Sequence, residues 1–240
     1  MGTLLVTGDE IGRVVVTATR HVRTGRDRHD PDHPCEKPLV GLGDTNRAFV
    51  TAIVFGSGSS RTRHDVRVDT VTISEEDRRF LGLWAADCVE RVLPLFEAKA
   101  PWDTRPREAV EGIRGFVREG KRTGRLRSVA WAAHAAAGEV GDRAAAAAAR
   151  AACYAAATPY IHPLATPHQS KHALGPAVYQ ARARELAAGD DARAGDEEIR
   201  WAVEHAWPAV RGLVRRMPPR GPGRSRLDAL YYQLDAALRR

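Results

Sequence analysis

The chain has 240 residues, 43% of them hydrophobic, 28% charged and 6% aromatic, a globular composition long enough for one large domain or two small ones. No apolar run approaches the roughly 18 to 20 residues of a membrane span, and the first ten residues lack the basic start and apolar core of a signal peptide. The net charge of +7 is concentrated at the end: residues 211–240 hold 8 Arg against Asp228 and Asp235, whereas residues 74–210 balance at 19 and 19.

Three cysteines, Cys35, Cys88 and Cys153, are odd in number and far apart, which is no disulfide framework. We therefore expect a cytoplasmic protein. The basic residues are 33 Arg and 4 Lys beside an excess of Ala, a skew that reflects genome composition more than function.

Up to Ile73 the patterning is that of strands. Residues 13–20, 47–55 and 64–73 are rich in β-branched residues, and Leu4 to Thr7 adds a short fourth. The stretch 21–46 is too polar for a core and reads as an exposed loop. From Ser74 the period changes to that of helices. Ser74-Glu-Glu-Asp77 has the form of a capping box, and Phe80, Trp84, Cys88 and Val92 recur every four residues as one apolar stripe. Pro94 is expected to kink that helix. Further helices are predicted over 105–118, 125–137 and 142–157. Another starts at Thr166-Pro167, and the last two start at Asp196 and Ser225, with a Pro/Gly linker at 217–223.

Between Trp131 and Ala157, 16 of 27 residues are Ala, which favours helix but buries little area per residue. The expected fold class is α+β. A small β-rich unit, 1–73, precedes an Ala-rich all-helical bundle of about seven helices, 74–240.

Three clusters carry candidate chemistry. The segment His29-Asp-Pro-Asp-His-Pro-Cys-Glu36 offers metal-competent side chains, but it has neither C-x-x-C nor H-E-x-x-H spacing and reads as a solvated loop. The second cluster is His162, His168 and His172, with His134 on another Ala-rich helix and Tyr154, Tyr160 and Tyr179 close in sequence. His168 and His172 share a helix face, and no acidic residue lies beside them. They read either as hydrogen-bonded core residues or as the lining of a pocket for a small polar ligand.

The third cluster runs from Arg105 through Arg107, Arg114, Arg118, Lys121, Arg122, Arg125 and Arg127, opposed locally by Glu108, Glu111 and Glu119. It could form an anion-binding surface, yet no recognition helix, zinc finger or RNP-like pattern supports sequence-specific nucleic-acid binding. No Walker A, G-x-S-x-G or G-x-G-x-x-G motif occurs. No metal and no cofactor is expected.

Trp84-Ala-Ala-Asp-Cys-Val-Glu-Arg-Val-Leu-Pro-Leu-Phe-Glu97, Asp103-Thr-Arg-Pro-Arg107, Ala130-Trp-Ala-Ala-His-Ala-Ala-Ala137 and Lys171-His-Ala-Leu-Gly175 together resemble the Imm-five-like immunity family of bacterial polymorphic-toxin systems. The end of the chain, Leu234 to Arg240, is similar to the ends of those proteins. The resemblance covers roughly 74–240. It implies an all-helical fold, and a cognate toxin as the partner that the chain binds and neutralises. A polar site in the family would fall here on Asp87, Glu90, Asp103, Arg105, Arg107, His134, Tyr154 and His172. Family members often carry His where this chain has Tyr154, and the first 73 residues have no counterpart.

Combining both lines, the candidate pocket comprises His134, Tyr154, His162, His168, His172, Asp87 and Arg105. Binding ranks above catalysis, because no nucleophile–base–orienter set is visible. The alternative is an enzyme or small-ligand-binding protein, of specialised metabolism for example, built on the same bundle.

Overall fold

A computed structural model describes residues 69–240 with their side chains, and before them the backbone of four strands: β1 (Thr3–Gly8), β2 (Arg13–Thr19), β3 (Ala48–Val54) and β4 (Thr62–Val68). The chain divides into two compact units, Met1–Val71 and Thr72–Arg240. In the first, the strands form one sheet in the order β1-β2-β3-β4. The outer pairs are antiparallel, with Thr3 opposite Thr19 and Ala48 opposite Val68, and the central pair is parallel, with Arg13 opposite Phe49. The polar stretch 21–46, with its metal-competent segment 29–36, lies outside the described residues.

The second unit is helical throughout. Nine α-helices are described, against about seven expected: α1 (Glu75–Glu90), α2 (Leu93–Glu97), α3 (Arg105–Glu119), α4 (Gly124–Glu139), α5 (Arg143–Ala157), α6 (Pro167–Ala187), α7 (Ala192–Glu204), α8 (Pro208–Arg216) and α9 (Arg226–Leu238). Proline accounts for the difference. Pro94 does not kink one long helix; α1 ends at Glu90 and Pro94 sits in the first turn of α2, where its missing N–H costs nothing. Pro208 likewise opens α8 as a separate element. The start expected at Asp196 moves back to Ala192, because Asp191 caps α7 by accepting from the Arg193 N–H.

β4 ends at Val68, short of the strand expected through Ile73. The alternation of Val71 and Ile73 has another cause. The chain is still extended as it approaches α1, and Ile73 packs on the helical core. α1 then starts at the expected residue: Ser74 Oγ accepts from the Asp77 N–H at 3.0 Å and the Asp77 carboxylate accepts from the Ser74 N–H at 2.9 Å.

α5 is the central element. It packs against α1, α2, α3, α4 and α6, and ten of its fifteen residues are buried, eight of them Ala. Small side chains on every face let five neighbours approach closely, and the neighbours supply the bulk. Leu93 and Phe96 come from α2, Ile113 and Phe116 from α3, and Leu174 and Val178 from α6. A second layer of α1, α6, α7, α8 and α9 encloses Trp84, Ile199, Leu213, Leu230 and Leu234. The Trp84 indole N–H donates to the Ala202 carbonyl at 2.9 Å, tying α1 to α7.

Candidate binding site at the histidine and tyrosine cluster

The site begins with the entry into α6. Thr166 caps the helix and Pro167 takes its first position, so His168 and His172 stand one above the other on its first two turns. Their Nε2 atoms are 2.9 Å apart and their rings nearly perpendicular. The preceding segment is pinned from two sides. The His162 N–H donates to Gln169 Oε1 at 2.8 Å, and the buried Arg78 of α1 donates to the carbonyls of Pro159 and Ile161 at 2.9 and 2.7 Å.

Gly175 decides what packs behind the histidines. A Cβ there would lie 2.4 Å from Tyr154 Cδ1, so only glycine lets the Tyr154 ring lie flat on α6. Tyr154 then stacks on Tyr179 at 5.3 Å and meets the His172 ring at 5.7 Å. Tyr231 of α9 joins them. Burial pushes its phenol well above the usual range, the nearby Tyr154 and Tyr179 phenols push in the same direction, and the Arg220 guanidinium 5.0 Å over its ring acts against them. All three tyrosines are fully buried.

Burial also pushes the half-buried His172 down to about 3, helped by the charges of His168 and Lys171. His162 is lowered by burial and then by Arg78 and Arg127. Both are therefore neutral imidazoles near pH 7, able to donate with one nitrogen and accept with the other.

The structure gathers His168, His172, Tyr154 and Tyr179 at one place, with His162 on the segment leading into it. Other expected site residues stand elsewhere. His134 lies on α4 edge-on to Trp131, with ring centres 6.2 Å apart. Asp87 pairs with Arg114 at 3.1 Å. Arg105 is gripped by Asp103 at 2.6 and 2.8 Å and by Glu139 at 2.6 Å. Arg107 bridges Glu90 and Glu97, each at 2.8 Å. These family-matched charges thus join α1, α2, α3 and α4 as ion pairs. Tyr160 belongs to a third place, a cleft of about 230 Å³ lined by Arg122, Thr123, Gly124, Arg127 and Tyr160. Its hydroxyl donates to the Thr123 carbonyl at 2.7 Å under the Arg127 guanidinium.

The arginine-rich run is not a bare cationic face. Its partners come from outside the run: Asp87, Glu90, Glu97, Glu139, and Glu75 for Arg122 at 2.8 Å. The C-terminal arginines are similarly engaged. Arg216 pairs with Asp77, Arg226 with Glu185 and Asp196, and Arg239 with Asp235. Arg211, Arg215 and Arg216 are on α8.

Sequence reading missed Arg78, Gly175 and Tyr231 as organisers of the cluster. Tyr231 was within reach, since Leu227, Leu230, Tyr231, Leu234 and Leu238 form a helical stripe. Arg78 acts through contacts with chain 81 and 83 residues away, and Gly175 through a residue 21 away, which no local pattern signals.

The family model for the Imm-5 like putative immunity protein matches residues 71–209, more than half of the chain. The chain belongs to that family. No curated protein and no solved structure matches it. The match to the Imm-5 like family begins at the entry to the helical unit and ends inside α8, so α9, which supplies Tyr231, lies beyond it. Membership implies a toxin partner in general terms. Among the described residues no helix is long and apolar enough to cross a membrane.

Proposed function

We propose that the helical unit neutralises a cognate toxin by binding it directly, in the cytoplasm. The observation that carries this reading is membership of the Imm-5 like family. A surface feature supports it. Trp102, in the turn between α2 and α3, is 81% exposed, beside the Asp103–Arg105–Glu139 ion pairs. A large exposed indole next in the chain to an ion-paired carboxylate is the residue type that anchors interfaces with polar rims. The balanced charge of 74–210 argues against a nuclease as the toxin, since inhibitors of such enzymes meet basic active sites with acidic faces. The test is co-expression with a toxin encoded beside this chain. Growth should be rescued through a stable complex, and Trp102→Ala should weaken that complex at least tenfold without lowering the melting temperature.

A second reading, an enzyme or small-ligand-binding protein, draws on the imidazole pair beside the buried tyrosines. It requires that His172→Gln leave the fold intact and abolish turnover or binding of a small molecule.

A further inference from the structure

Two distances within the histidine pair carry more together than either does alone. The Nε2 atoms of His168 and His172 are 2.9 Å apart, and their ring centres 4.5 Å apart. An imidazole nitrogen lies about 1.2 Å from its ring centre, so two nitrogens facing each other along a straight hydrogen bond would hold the centres about 5.2 Å apart. The observed centres are closer. At least one ring is therefore tilted off the straight Nε2–Nε2 line. With both rings tilted equally to the same side, the outward directions of the two Nε2 atoms meet about 2.1 Å from each nitrogen, with an angle of about 90° between them. The distance is that of a metal–imidazole bond, about 2.0–2.1 Å for zinc. The angle is that between neighbouring ligands of an octahedral or tetragonal ion, the geometry that nickel and copper favour.

We infer that His168 and His172 form a two-point chelate for one nitrogen-preferring divalent transition-metal ion, copper or nickel before zinc. The rest of the fold is consistent with a built site. The two ligands sit one turn apart on a capped helix, and Tyr154 backs the His172 ring. Among the described residues no carboxylate joins them in a cluster of three or more His, Cys, Asp or Glu that could hold a metal. Water or a ligand atom from a bound partner then completes the coordination. Calcium and magnesium, which need oxygen donors, are excluded from such a site. Lys171 nearby weakens the attraction for a cation, so a modest affinity is expected.

The experiment uses the full chain without a histidine tag, stripped with a chelator and dialysed against Cu²⁺, Ni²⁺, Zn²⁺ or Mg²⁺. One equivalent of Cu²⁺ or Ni²⁺ should bind, and Mg²⁺ should not. His168→Gln, at an exposed position, should weaken that equivalent at least tenfold with an unchanged circular dichroism spectrum, and His172→Gln should do the same. The electron paramagnetic resonance spectrum of the copper form should show coupling to two imidazole nitrogens, and to one in His168→Gln. A His29→Ala/His33→Ala/Cys35→Ala variant should retain the equivalent. Retention of full affinity in both glutamine variants, loss only in the 29–35 variant, or no binding of any ion would each overturn the inference.

Discussion

Single residues set the site through close approach and burial, and both can be tested. Gly175 is the clearest case. Placing a methyl group 2.4 Å from a Tyr154 ring carbon forces that ring off its stack on Tyr179. Gly175→Ala should destabilise the helical unit by about 1–3 kcal/mol, measured by chemical denaturation, whereas in an open helix the same change would stabilise it. His172 supplies the pH test. Its pKa falls from the ordinary 6.5 to about 3 on folding, so between those values the unfolded chain binds more protons than the native one. The stability it contributes is present in full above pH 6.5 and is lost as pH falls towards 3. His162 shifts the same way, while carboxylates such as Asp103, held low by Arg105, act at more acid pH. On chelator-treated protein, stability should fall between pH 7 and pH 5, and less steeply in His172→Gln. An unchanged slope in the variant would show that His172 is not buried as described.

Secondary structure was largely legible in the sequence wherever caps mark it. The starts of α1, α6 and α9 follow from Ser74, Thr166 and Ser225, each of which accepts from the N–H three residues on. The central position of α5 was legible only by inference, because polyalanine fits a buried helix without naming its neighbours. What was not legible is the set of buried carboxylates that tie helices together, since their partners lie far along the chain. Glu198 on α7 accepts from Arg91 at 2.7 and 3.0 Å and lies 3.3 Å from Arg184, with Gln180 also donating to it. Arg91 in turn lies over the Trp201 ring at 4.3 Å. Glu198→Ala leaves partly buried guanidinium groups without their anion and should cost about 2–4 kcal/mol, seen as a lower denaturation midpoint. A stability change under about 0.5 kcal/mol would place these pairs with ordinary surface ion pairs.

For the whole molecule, the family match and the folded unit have different extents. The match stops at residue 209, while Leu230, Tyr231, Leu234 and Leu238 of α9 are fully buried in the core formed with α1, α6, α7 and α8. A chain ended at Arg224 should therefore lose cooperative thermal unfolding, because an apolar face of that size cannot be left in water. Function was the least legible level. The sequence holds no apolar run long enough for a membrane-spanning helix, and the motif set pointed to a family. A binding surface, in contrast, is assembled from turns such as that of Trp102, whose exposure no sequence pattern reports. The most direct measurement is co-purification and growth assay of this chain with a toxin encoded beside it. The account predicts a stoichiometric complex that restores growth, with both effects reduced by Trp102→Ala and neither by a surface control such as Arg193→Ala. Abundant, folded chain that forms no complex and leaves the toxin fully lethal would contradict it.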